Sequence, residues 1–140
     1  MADAVTSQTI GDNVGAKNIL VKLTNISDGT GESAVTKVDV SALAKNTNGE
    51  SCSRVAVQEI FYDVAGMRVD LLWDATSDVV CTTFGTHPAT SGNQGYFDFR
   101  DFGGITNNAG SGVTGDLKLT TTGHTSGDHY TIILKLSKTY

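Results

Sequence analysis

The chain has 140 residues, a formal charge of −5, 39% hydrophobic residues, sixteen glycines and one proline. That length suits one domain with a real core, and no run approaches the roughly 20 apolar residues of a membrane helix. Its ten basic residues are scattered, which argues against nucleic acid as the main partner, because phosphate binding needs clustered Lys and Arg.

The opening MADAVTSQTIGDN has neither a basic start nor an apolar segment, so no signal peptide is expected and folding in a cytoplasm follows. Residues 1–16 are too polar and glycine-containing for a full core strand. They suit an arm that adds a strand to a neighbour's sheet edge, with Val5, Thr9 and Ile10 as contacts. Residues 17–140 are then the folded domain. Strands are expected at Val5–Ile10, Lys17–Ile26 and Val35–Val40. Between the last two lies the polar loop SDGTGES, residues 27–33, whose Asp28 and Glu32 are candidate contacts. They lack the alternating oxygen ligands of an EF-hand, and a solvated acidic loop is the simpler reading. Val40 to Ala44 has room for a single helical turn.

Residues 54–74 read as a hairpin, with RVAVQEIFYDV and MRVDLLWD joined at Ala65-Gly66. Met67, Val69, Leu71 and Trp73 share one face, and Trp73 is expected in the core. Strands are also expected at Asp78–Phe84 and Tyr96–Phe99. In the latter, Phe97 and Phe99 face a core, while Tyr96 and Arg100 face outward and are candidate contacts. Asp101-Phe102-Gly103 spells a kinase metal-holding tripeptide without its accompanying motifs, and is a coincidence. The loop GGITNNAGSGVTG, residues 103–115, offers Asn107 and Asn108 as further contacts. A second hairpin is expected at the C-terminus. Leu117, Leu119 and Thr121 alternate with Lys118 and Thr120, TGHTSGD (122–128) turns, and Tyr130, Ile132, Leu134 and Leu136 face a core.

The whole therefore reads as an all-β, single-domain antiparallel β-sandwich or jelly-roll-like fold of about eight or nine strands. Cys52 and Cys81 are expected to be free thiols, since no export signal accompanies them. His124 and His129 flank a turn near Asp128, and His87 stands apart; all three read as turn residues rather than metal ligands. Asp98 and Asp101 are close in sequence, but nothing suggests the cleft that paired-carboxylate chemistry needs. No catalytic residue, metal or cofactor is expected.

The blocks MADAVTSQTI, LTNISDGTGESAVTKVDVSAL (23–43), LLWDAT (71–76), FGGITNNAGSGVTGD (102–116) and TTGHTSGDHYTIILKLSK (121–138) resemble a family of small virion structural proteins of marine and freshwater tailed phages, cyanophages included. The likeness runs over almost the whole chain and fits least well around residues 84–96. It implies a capsid decoration or cement protein on the virion surface, with the major capsid protein and other copies of itself as partners, and no nucleic acid, membrane or small-molecule substrate. Two alternatives stand beside it: a tail, neck or baseplate component of the same particle, and a carbohydrate- or host-surface-binding β-sandwich module. The last needs an exposed aromatic platform, for which Trp73 and Tyr96 are the candidates.

Overall fold

The computed structural model describes residues 3–85 and 92–140. Among the described residues nine strands form two antiparallel sheets: β1 (Ala4–Ile10), β2 (Asn18–Ile26), β3 (Val35–Val38), β4 (Arg54–Ala65), β5 (Arg68–Trp73), β6 (Val79–Gly85), β7 (Gly92–Asp98), β8 (Leu117–Thr122) and β9 (His129–Thr139). One sheet has the order β1-β2-β9-β4-β7 and the other β3-β8-β5-β6. Short 3-10 turns lie at Val40–Ala42 and Arg100–Phe102, the first where one helical turn was expected. Among the described residues no helix is long and apolar enough to cross a membrane.

Period-two alternation gives the central strands one buried row each. In β9, Tyr130, Ile132, Leu134 and Leu136 are buried, and in β5 and just before it Met67, Val69, Leu71 and Trp73 are. Together with Ile19, Val21 and Leu23 of β2 and Leu117 and Leu119 of β8 they form one core between the sheets. Trp73 is wholly buried and is the core anchor its strand face implies. Cys52 and Cys81 are both free.

Neither expected hairpin exists, although all four of their strands do. β4 belongs to the five-stranded sheet and pairs with β7 and β9, whereas β5 pairs with β6 and β8 in the other sheet. Likewise β8 pairs with β3 and β5, while β9 pairs with β2 and β4. Both connections cross the sandwich instead of folding back within a sheet. At the first crossing Gly66 takes φ 82°, and a Cβ there would lie 2.1 Å from the Asp128 carboxylate. So the crossing needs glycine both for its backbone and for its fit against the second crossing. The second crossing is bonded to the end of β2: Ser27 N–H donates to the Asp128 carbonyl (2.7 Å) and Gly127 N–H to the Ser27 carbonyl (2.8 Å).

Strands β2 to β9 thus divide as β2-β9-β4-β7 and β3-β8-β5-β6, which is a double-sheet jelly roll. β1 is an addition at its edge. Val5, Ser7 and Thr9 lie on the inner side, opposite Asn25, Leu23 and Val21, yet they are exposed because the smaller sheet does not reach them.

Candidate binding face

Two β-bulges decide which side chains reach the surface and which are buried. In β4 the register shifts between Val57 and Glu59, so Gln58 is the extra residue. Val55 and Val57 face the core, as do Ile60, Tyr62 and Val64 beyond the bulge. The phase change carries Glu59, Phe61 and Asp63 to the outer face, where unbroken alternation would have buried them. In β3 the extra residue is Lys37, whose side chain is buried against Glu32 in an ion pair.

The strand register arranges the outer face of the five-stranded sheet in cross-strand rows. One runs Gln8, Lys22, Ile133, Phe61, Tyr96; the next runs Thr6, Thr24, Thr131, Asp63, Gln94; on the other side lie Ile10, Leu20, Lys135, Glu59 and Asp98. Ile10, Leu20, Ile26, Phe61 and Tyr96 are exposed large apolar residues of this single face. Phe61 and Tyr96 stack with ring centroids 4.5 Å apart and planes 19° from parallel. Beside them is an open depression of about 530 Å³ lined by Phe61, Tyr62, Asp63, Gln94, Gly95, Tyr96, Thr131 and Ile133.

Glu59 fixes the tyrosine. The Tyr96 hydroxyl donates to its Oε2 at 2.6 Å, and Arg100 Nε and Lys135 Nζ approach its Oε1 at 3.2 and 3.6 Å. The hydrogen bond to Glu59 pushes the Tyr96 hydroxyl pKa up to about 12, so it stays a donor near neutrality. Arg100 also grips Asp98 through Nε and Nη2, at 2.9 and 2.8 Å, which holds the Asp98 carboxyl well below the usual range. The ring pair therefore sits in a braced polar frame. Phe97, on the inner side of β7, is 38% exposed and touches the rings of Tyr62 and Phe99 at the sandwich rim, so it is only partly in the core.

The sequence candidates fall in separate places. Tyr96 and Arg100 meet on this face with Ile10 at its far edge. Val5 and Thr9 are exposed on the other side of β1. Asn107 and Asn108 lie on the 103–115 loop, where Asn107 Oδ1 accepts from Ala109 N–H (2.9 Å). Asp28 is half-buried and its carboxylate caps Thr30 N–H. Glu32, expected as a surface contact, is buried. It pairs with Lys37 and accepts from the Tyr130 hydroxyl (2.6 Å) and Asn25 Nδ2 (2.8 Å), so it serves the core. Burial, reinforced by that bond, drives the Tyr130 hydroxyl far above its ordinary pKa. Asp128 caps its own turn through Thr125. Among the described residues no group of three His, Cys, Asp or Glu side chains converges as a metal site; His87 lies outside the described residues.

Sequence reasoning missed Phe61, although a signal was present. Apolar residues at 55 and 57 and then at 60, 62 and 64 change phase, which marks a bulge near residue 58 and puts residue 61 outside.

No protein-family profile and no curated protein matches the chain. Among solved structures it is similar to a mutant of a family 29 carbohydrate-binding module, at 8% identity, over 96% of this chain and 91% of that one, with a TM-score of 0.35. Likeness at that level carries no weight for either fold or function.

Proposed function

We propose that this chain is a virion structural protein of a tailed bacteriophage, a capsid decoration or cement subunit that docks on neighbouring major capsid subunits through the outer face of its five-stranded sheet. The observation carrying the docking surface is that Ile10, Leu20, Ile26, Phe61 and Tyr96 are all exposed on that one face. The solvated face of an antiparallel sheet ordinarily alternates to polar side chains; here Ile133, Phe61 and Tyr96 adjoin in one row and Ile10 and Leu20 in the row beside it, set among Lys22, Lys135, Glu59 and Asp98, which gives a partner apolar seats within a charged frame. The resemblance of the sequence blocks supports the virion assignment. Co-sedimentation with purified capsid shells tests both. Phe61→Asp combined with Leu20→Asp is expected to abolish occupancy, whereas Val113→Asp, on the 103–115 loop, leaves it intact. Equal occupancy of all three chains would overturn the docking face. A closed ring of free subunits, or density for the chain on the tail, would move it to the tail, neck or baseplate.

A second reading is favoured by the depression beside the ring pair. Trp73 is buried, and Phe61 and Tyr96 are exposed aromatics that stack beside the depression, so they are the platform this reading uses. Asp63, Gln94 and Thr131 border those rings with the hydrogen-bonding groups that sugar hydroxyls use. Glycan-array binding that disappears in Tyr96→Ala would establish this reading, and a blank array would remove it.

A further inference from the structure

Strand β1 lies at the edge of the five-stranded sheet and pairs only with β2. All seven of its residues are exposed, so it gives the core nothing. Its links to the body are the ladder to β2, from Ala4↔Ile26 to Ile10↔Leu20, and a pin at each end. At the start, the Asp3 carboxylate accepts from the backbone N–H groups of Asp28 (3.1 Å) and Gly31 (3.2 Å) and from Asn25 Nδ2 (3.1 Å). Past the end, Asp12 accepts from Ala44 N–H and from the buried Lys138. Between strand and second pin stands Gly11, with φ 77° and nothing within 4 Å of where a Cβ would be.

We infer that β1 is an exchangeable strap, able to leave its own β2 and pair with β2 of a second copy of this chain. Asp12 fixes the point where the strap leaves the body, and Gly11 is the pivot. Eight residues, 3–10, reach about 27 Å when extended. On a neighbour the strap finds the same ladder and the same Asp3 pocket, so no contact is lost in the transfer. What remains is the entropic cost of association, which falls when copies are held side by side at high effective concentration. Core strands have no such freedom, since moving them exposes buried apolar surface. The inference does not rest on the virion reading, because it concerns only copies of this chain.

Two full-length variants test it. Thr6 and Thr24 are direct cross-strand partners. A Thr6→Cys chain and a Thr24→Cys chain, mixed at about 1 mM to imitate tethered neighbours and then oxidised, join as a covalent heterodimer only if the strap of one lies on the other. The wild-type chain sets the background from Cys52 and Cys81. The expected result is several-fold more heterodimer than from Thr6→Cys mixed with Val113→Cys. Yield equal to that control overturns the inference. A single chain carrying both Thr6→Cys and Thr24→Cys closes an internal disulfide if the fold is intact, and the Gln8→Cys and Lys22→Cys pair repeats the comparison one row along. Failure here with capsid docking intact would remove the strap and leave the outer-face proposal standing.

Discussion

The sharpest energetic test concerns Lys138. Its side chain has no exposed surface, and its ammonium donates to Asp12 Oδ1 (2.9 Å) and to the Ala44 carbonyl (3.1 Å), above the Tyr140 ring at 5.5 Å. Asp12 is less enclosed, at 17% side-chain exposure, and also accepts from Ala44 N–H. The two partners are therefore unequal. Asp12→Asn leaves the buried charge with neutral acceptors alone, and breaking a buried pair this way costs about 3–5 kcal/mol. Retention of a side-chain oxygen places it at the low end, about 3 kcal/mol, or about 10 °C of Tm at this chain length. Lys138→Met removes the charge that needs compensation and keeps the apolar stem. Asp12 then retains its N–H donor and its access to water, so the loss is about 1 kcal/mol. Adding Lys138→Met to Asp12→Asn should restore most of what the latter loses. Urea melts of the four chains measure the cycle. The reasoning fails if Lys138→Met costs more than Asp12→Asn, or if the two losses simply add to within about 0.5 kcal/mol.

Acid provides a second test. Burial alone would raise the Asp3 carboxyl, but the N–H groups of Asp28 and Gly31 and the Asn25 amide outweigh it and lower the pKa to about 2 from 3.8. A depressed carboxylate stabilises the fold above its unfolded pKa, and that contribution fades as pH falls from about 4 through about 2; Asp3→Asn should lower stability at pH 7 and flatten this limb in pH-dependent melts. Leu134→Ala, in the middle of the core, should cost about 3 kcal/mol, against well under 1 kcal/mol for Leu20→Ala on the outer face. The crossing topology predicts backbone nuclear Overhauser contacts between Leu119 and Leu71 and none between residues 117–122 and 129–136 along a shared ladder. Burial raises both thiols, Cys81 to about 12, so a thiol reagent near neutrality should react slowly with the folded chain and quickly once it is unfolded, as followed by absorbance.

Strand positions were legible in the sequence because alternation is a local signal. The Tyr130–Leu136 and Met67–Trp73 rows are buried as their spacing implies. Pairing was not legible. A strand followed by a glycine turn and another strand looks the same whether the chain folds back within a sheet or crosses to the opposite one, and only the partners decide. At Gly66 and at residues 123–128 those partners are each other and the end of β2, contacts that no local window contains. The binding face was obscured for a related reason. Tyr96 stood out as an outward aromatic, but its partner Phe61 sits 35 positions earlier, and the bulge at Gln58 reverses its side. Glu32 misled in the opposite direction. A loop carboxylate reads as solvated until the bulge at Lys37 brings an ammonium to it inside the protein.

The mismatch between five strands and four connects the proposed surfaces. A fifth strand beyond the reach of the smaller sheet has neither face covered, so it adds width to the outer face while contributing nothing to the core. Selection for stability alone gives such a strand little to do. It matters if the outer face has to span a junction between neighbours, because Ile10 and Gln8 extend two of its cross-strand rows by one strand. It also keeps the inner edge strand β2 from presenting bare backbone groups while subunits are free. Removing β1 therefore separates the two roles: a chain lacking residues 3–10 should keep its core and its Phe61–Tyr96 stack, yet pair edge to edge through β2. Sedimentation velocity reads that directly, and a truncated chain that stays monomeric would show that β2 needs no cover.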